Sequence, residues 1–161
     1  MKLRPMTSAD DAVVLALNAA AEGPVEPLGP TRLDWLRLIA AHAVVVEDEG
    51  QVAGFVFTFT PGSAYDGLEF QWFTETYGDR FLFIDRIVVA EPHRRSGVAS
   101  LVYRAIERAA KPFDRVVTRV RSDPPDTAGL AFHFTHGFVE TAKQRRPDGT
   151  TITLLTKDLA N

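Results

Sequence analysis

Three groups of residues in this 161-residue chain have types and spacings that chemistry can use. The first is Arg94-Arg95-Ser96-Gly97-Val98-Ala99-Ser100, where a strand hands over to a helix. Small side chains there leave the unpaired N–H groups of a first helical turn open to approach, and a helix start carries roughly half a positive charge. With two arginines beside it, the turn reads as an anion cradle for a phosphate group. An ordinary helix start capped by Ser96 is the plainer alternative. The second group is Asp85-Arg86, the only charges in the apolar run Phe81 to Ala90. A charge within a buried strand must face either a cleft or an ion pair, so Asp85 is a candidate base and equally a candidate partner for Arg86 or Arg119. The third is Asp126-x-x-Gly129-x-x-Phe132-His133-x-x-x-Gly137-Phe138, whose spacing sets Asp126, Gly129, Leu130 and His133 on one side of a helix.

The elements that must position these groups follow from periodicity. Phe81 to Ala90 suits a strand buried on both faces. Val98, Leu101, Val102, Ala105, Ile106 and Ala109 form one apolar helical stripe, and Pro112 ends it. Arg115 to Arg121 alternates as a strand, and reaching it through a single helix makes it parallel to the first, a right-handed βαβ unit. Upstream lie an edge strand over Lys2 to Met6, a helix from Thr7 or Ser8 to Gly23-Pro24, a proline-rich loop, a helix capped by Thr31, and a hairpin of Ala43 to Glu47 with Val52 to Thr60. Downstream, a helix runs to about His136 and a hairpin turns at Pro147-Asp148-Gly149. Pro61 to Arg80 has two readings. It is a lid whose Tyr65, Trp72 and Tyr77 wall a pocket for a cationic amine, or a hairpin extension whose aromatics pack on the body. The whole is an α/β (α+β) chain with a mixed sheet and helices on its faces.

Composition narrows the classes. The length suits one domain, residues 1–161, that buries roughly two thirds of its unfolded surface. Eighteen Lys and Arg against 21 Asp and Glu give a net charge of −3, so no global basic field argues for nucleic acid or an anionic membrane. The absence of cysteine excludes disulfides, thiolate metal sites and a cysteine nucleophile. No metal site is expected. No run reaches the roughly 18 apolar residues of a membrane span, and the start lacks a signal-like apolar core, so the expected location is the cytoplasm.

The two motifs together resemble the GNAT superfamily of acetyl-CoA-dependent N-acetyltransferases. That family carries Gln or Arg-x-x-Gly-x-Gly or Ala at a strand-to-helix turn, matched from Arg94 to Ala99, and some thirty residues on Asn-x-x-Ala-x-x-Phe-Tyr-x-x-x-Gly-Phe, matched from Asp126 to Phe138. The resemblance implies a mostly antiparallel central sheet of about seven strands with a βαβ cofactor cleft. It implies acetyl-CoA (coenzyme A) as cofactor, its pantetheine arm on the backbone of Ile87, Val88 and Val89. Its diphosphate would rest on the turn from Arg94 to Ser100, with Asp126 helping to hold the arm. His133 stands where many members carry a tyrosine that protonates the departing thiolate, which an imidazole with a pKa near 6.5 can also do. Many members also place a glutamate base on the second parallel strand. Here that stretch reads Thr118-Arg119-Val120-Arg121, which leaves Asp85 as the substitute.

The expectation is therefore an N-acetyltransferase in which a primary amine, on a small molecule or a peptide, attacks the thioester directly. A non-catalytic acyl-CoA-binding or sensing module is the alternative, since Arg119 removes the expected base. A nucleotide-phosphate binder is a third. The terminal hairpin offers a sheet edge, which leaves homodimer pairing open.

Overall fold

The computed structural model describes residues 1–160. Seven strands form one sheet, β1 (Lys2–Pro5), β2 (His42–Asp48), β3 (Gln51–Phe59), β4 (Leu82–Val89), β5 (Arg115–Asp123), β6 (Val139–Arg145) and β7 (Thr151–Asp158), in the spatial order β1-β2-β3-β4-β5-β7-β6. Every neighbouring pair is antiparallel except β4 and β5. Helices α1 (Asp11–Ala20), α2 (Pro30–Ile39) and α3 (Leu68–Tyr77) bury Val14, Leu33, Leu36, Phe70 and Phe73 on one face. On the other, α4 (Val98–Ala110) buries Val98, Val102, Tyr103, Ile106 and Ala110, and α5 (Thr127–Thr135) adds Leu130 and Phe132. No helix of the described residues is long and apolar enough to cross a membrane.

Three local expectations change. The second helix starts at Pro30 with Gly29 before it, not at Thr31, because proline suits a first helical position whose N–H would be unpaired anyway. Helix α4 starts at Val98 with Gly97 as its cap; the Ser96 hydroxyl donates instead to the His93 carbonyl. Pro61 to Arg80 is neither lid nor hairpin. Its centre is α3, which drives Phe70 and Phe73 into the core and packs them edge-on or tilted against Phe81 and Phe83. Aromatic residues at spacings of three and four were the helical signal within that stretch.

Two irregularities in β4 shape everything that follows. Phe57 of β3 pairs with Arg86 while Thr58 pairs with Ile84, so Asp85 is the extra residue of a β-bulge. Before it, Phe81 and Phe83 face the α1–α3 side and Leu82 and Ile84 the α4 side; after it, Val88 faces the former and Ile87 and Val89 the latter. The bulge thus breaks alternation between Ile84 and Ile87, the interval that holds Asp85 and Arg86. The second irregularity is the parallel pairing, which holds only at Leu82 with Val116 and Phe83 with Val117. Thr118 Oγ1 then donates to the Ile84 carbonyl at 3.0 Å, and beyond that point no ladder joins the two strands.

Candidate active site

The opening between β4 and β5 is a cleft of about 740 Å³. Ile87 and Val89 line it from β4, Thr118 to Arg121 from β5, Ala99 and Tyr103 from α4, and Asp126, Gly129 and His133 from α5. The loop Gly23 to Pro27 and the β6–β7 turn from Arg146 close its other side. Backbone polarity along β4 follows from one bond. The Ala90 N–H donates to the Ala53 carbonyl of β3 at 2.8 Å, and alternation then turns the polar groups of Val88 toward β3 and those of Ile87 and Val89 toward the cleft. Val88 is also buried in the opposite core, so of the three residues expected to meet a cofactor arm, Ile87 and Val89 turn to the cleft and Val88 does not.

At the outer end, Arg95 (φ +64°) and Gly97 (φ +89°) both take left-handed conformations. Such a turn is strained for side chains other than glycine and bends successive N–H groups to one side. The Leu101 N–H is the first of α4 to find a helical acceptor, the Gly97 carbonyl at 3.0 Å, so the N–H groups of Val98, Ala99 and Ser100 have no backbone partner. The Ser96 N–H is used within the turn, on the His93 carbonyl at 3.3 Å. Arg94 and Arg95 are exposed, and among the described residues neither has an ion-pair partner. His93, a further candidate phosphate contact by its position, instead lies 3.5 Å from Asp48.

The inner end is a buried ion cluster. The Asp85 carboxylate accepts from Arg86 Nε at 2.6 Å, from Arg119 Nη2 at 3.1 Å and from the Tyr65 hydroxyl. Arg119 Nη1 is 3.0 Å from Glu69, off line for a hydrogen bond, and Arg146 Nη2 is 2.8 Å from the other Glu69 oxygen. Glu26 stands 3.3 Å from Arg146 and 3.8 Å from Arg119. Arg86 also donates to Asn18 Oδ1 and to the Glu26 carbonyl, each at 3.0 Å. Three arginines thus meet three carboxylates. Burial alone would raise the Asp85 pKa, but the Arg119 and Arg86 charges and the Tyr65 bond outweigh it and bring it to about 2. Asp85 is ionised and fully occupied.

The two residues matched on α5 are both bonded. Asp126 caps the helix, accepting from the Gly129 N–H at 3.1 Å. A Cβ on Gly129 would lie 2.3 Å from an Asp126 carboxylate oxygen, which explains why a glycine accompanies an aspartate there. The carboxylate is turned onto its own helix. His133 is buried, with Nδ1 2.7 Å from the Gly129 carbonyl and Nε2 against the Tyr103 hydroxyl. Burial lowers its pKa below the usual 6.5.

The sequence profile of the Acetyltransferase (GNAT) family matches residues 13–138. The chain belongs to this family. Several solved structures share the fold. Ard1 from Thermoplasma volcanium superposes with a TM-score of 0.78 at 19% identity, covering 99% of this chain and 98% of that one. The ribosomal-protein-S18-alanine N-acetyltransferase from Escherichia coli gives 0.72 at 14% identity over 99% and 96%. The yncA protein from Salmonella typhimurium, solved with its cofactor acetyl-CoA, gives 0.71 at 17% identity over 100% and 95%. No curated protein sequence matches the chain significantly. As a GNAT member the chain uses acetyl-CoA. The residues present suit that cofactor: a backbone cradle at one end, unpaired strand amides in the middle, and a long cleft between.

Of the residues expected to contact an amine, none lines this GNAT cleft. Tyr65 lies behind Asp85, packed on Phe59, Phe70 and Phe83. Trp72 borders a separate groove on α3. The Tyr77 hydroxyl bonds Thr156 at 3.0 Å and its ring lies under Arg115. Sequence reasoning missed Tyr103, which belongs neither to the apolar stripe of Val98, Leu101, Val102, Ala105, Ile106 and Ala109 nor to either motif. It also missed Glu26 and Arg146, which join the cluster from loops distant in sequence.

Proposed function

We propose that the chain is a single-domain N-acetyltransferase that moves an acetyl group from acetyl-CoA to a primary amine, by direct attack of the amine on the thioester. The observation that supports this most is the parted β4–β5 pair, with free strand amides at Ile87 and Val89 leading to free helix amides at Val98 to Ser100. In this reading the pantetheine arm lies along Ile87 and Val89. The diphosphate rests on the turn from Arg94 to Ser100, with Ala99 allowing close approach and Arg94 and Arg95 adding mobile charge. When bound, the cofactor supplies an acetyl group already activated as a thioester.

The chain's own residues then orient and move protons. An N–H of Ile87 or Val89 is the available donor for a carbonyl oxygen that gains negative charge during attack. Asp126 holds the start of α5 in place, and with it His133. Asp85, with a pKa near 2 and three donors on it, holds Arg86 and Arg119 in position and is a poor proton acceptor. The amine enters past the Gly23–Pro27 loop and the β6–β7 turn, where Glu26 offers a half-exposed carboxylate. Positioning alone can supply effective molarities of 10⁵ M or more, whereas a base adds about 10²- to 10⁴-fold, so turnover survives without the family glutamate.

One observation favours the second reading, a non-catalytic acyl-CoA-binding module: Arg119 occupies the place of that glutamate and is locked in ion pairs. Titrating the protein with acetyl-CoA against a panel of small primary amines and peptide N-termini, while following free thiol, separates the two. Amine-dependent thiol release supports the transferase. Tight binding of acetyl-CoA with no thiol release from any amine supports the module.

A further inference from the structure

We propose that Tyr103 and His133 form a proton shuttle serving both ends of the transfer, which makes Tyr103 a catalytic residue. This rests on the N-acetyltransfer reading above. A carbonyl oxygen can only accept, so the 2.7 Å contact between His133 Nδ1 and the Gly129 carbonyl places a proton on Nδ1. In the neutral ring Nε2 then carries a lone pair, and its partner, the Tyr103 hydroxyl, must be the donor. The phenol oxygen has no other hydrogen bond, and both residues line the cleft.

Packing fixes the pair. Tyr103 comes from α4 and His133 from α5, and Phe132 and Phe138 contact both rings edge-on or tilted. Only 3% of Tyr103 and 7% of His133 is exposed. The titratable groups facing the imidazole are Tyr103 from α4 and Asp126 and His136 from its own helix; Phe138 closes the remaining side. Of the floor carboxylates, Asp85 and Glu69 are held by arginines, and Glu26 lies by Arg146 and Arg119.

Acetyl transfer forms one C–N bond and breaks one C–S bond, with one proton leaving nitrogen and one arriving at sulfur. The Tyr103 oxygen takes the first proton while its own proton crosses to His133 Nε2, producing an imidazolium bonded at both nitrogens. The reverse hop delivers a proton through Tyr103 to sulfur. A thiol near 8.5 binds that proton more tightly than an imidazole below 6.5, so the delivery runs downhill. The pair ends as it began, and no electrons move beyond those of the two bonds. Nε2 does not meet the substrate directly, because the Tyr103 hydroxyl covers it, so the proton passes through the phenol.

The test combines kinetics with a measurement on the free protein. Tyr103→Phe keeps the ring and the packing, and His133→Gln removes the basic nitrogen while leaving a hydrogen-bond acceptor. Each should lower kcat by about 10²-fold or more while the KM for acetyl-CoA changes little, and the double variant should lose no more than either single one. Nitrogen-15 spectra of the imidazole at pH 7.5, without cofactor, should show Nδ1 protonated and Nε2 bare. Tyr103→Phe at wild-type kcat, additive losses in the double variant, or a protonated Nε2 would each overturn the shuttle alone. A wild type that releases no thiol with any amine overturns the N-acetyltransfer reading, and the shuttle falls with it.

Discussion

Arg94 and Arg95 at the outer end of the cleft, and Arg86, Arg119 and Arg146 at its floor, are the same residue type a short distance apart, and their surroundings make them opposites. The outer pair is exposed and adjoins in sequence the backbone amides of Val98 to Ser100, which have no backbone partner. Of the inner three, the Arg86 and Arg119 side chains are buried and that of Arg146 is half-buried against Asp85, Glu69 and Glu26, and the sum of those six charges is zero. An arginine in water keeps its field available to an incoming anion. One taken out of water must be compensated first, and little is left to attract a ligand. Arginine content thus says nothing of anion binding until burial is known. In this chain the turn is read as a binding device and the floor as a structural lock.

The sharpest way to break that comparison is to remove a carboxylate from the lock. Asp85→Ala leaves Arg86 and Arg119 charged, buried and facing each other, which should cost about 3–5 kcal/mol in urea unfolding. Replacing both outer arginines with alanine should cost less than about 0.5 kcal/mol in the same experiment. An Asp85→Ala protein that unfolds like wild type but turns over slowly would reverse the assignment. It would make Asp85 a base and the arginines its tuning.

Acid provides a gentler version of the same break. The Asp85 pKa is about 2 in the folded protein against 3.8 for a free aspartate. A depressed pKa means that the folded state holds its proton less tightly, so the stability is present above about pH 4 and is lost as pH falls toward 2. The size is on the order of 2 kcal/mol. Unfolding free energy measured from pH 5 to pH 2 should fall less steeply in Asp85→Asn than in wild type. Equal slopes would show that the carboxylate is not held by the arginines.

The turn was legible in the sequence and most of the floor was not, for a physical reason. A helix start, two arginines and a glycine at Gly97 are neighbours along the chain, so their joint property is local and its residues can be read in order. The βαβ unit, the hairpins and α5 were legible through periodicity in the same way. The floor draws Glu26, Tyr65, Glu69, Asp85, Arg119 and Arg146 from six separate places. No spacing rule connects them, because their proximity is a product of the completed fold. Asp85 was visible as an anomalous charge in an apolar strand, and Arg119 as a suspect partner; the bulge that marks Asp85's place in β4 left no signature. Tyr103 was hidden because its partner, His133, lies 30 residues away and reaches it only when α4 and α5 pack together.

At the outer end the expected effects are smaller and fall on affinity. Arg94→Ala with Arg95→Ala should weaken coenzyme A binding by about tenfold and flatten its dependence on salt, since exposed charges act through a screened field. Stability should not follow. If affinity holds at low and high salt alike, the backbone amides carry the diphosphate unaided and the arginines belong to the solvated surface.

Gly97→Ala tests the backbone share of the same turn, and it differs from the arginine variants in kind. A side chain at φ +89° meets no neighbour within 4 Å, so the substitution adds strain without a clash, about 1 kcal/mol. Strain of that origin relaxes by rotating the turn, which moves the amides of Val98, Ala99 and Ser100 off a common point. Stability and coenzyme A affinity should therefore fall together, where the arginine pair lowers affinity alone. Gly50 supplies the control: at φ +77° in the β2–β3 turn it also meets nothing within 4 Å. Gly50→Ala should cost similar stability and leave coenzyme A binding unchanged, measured by calorimetry on the same preparation. If Gly97→Ala behaves as Gly50→Ala does, the amides of the turn are not holding an anion, and the contrast between the two arginine clusters loses its outer half.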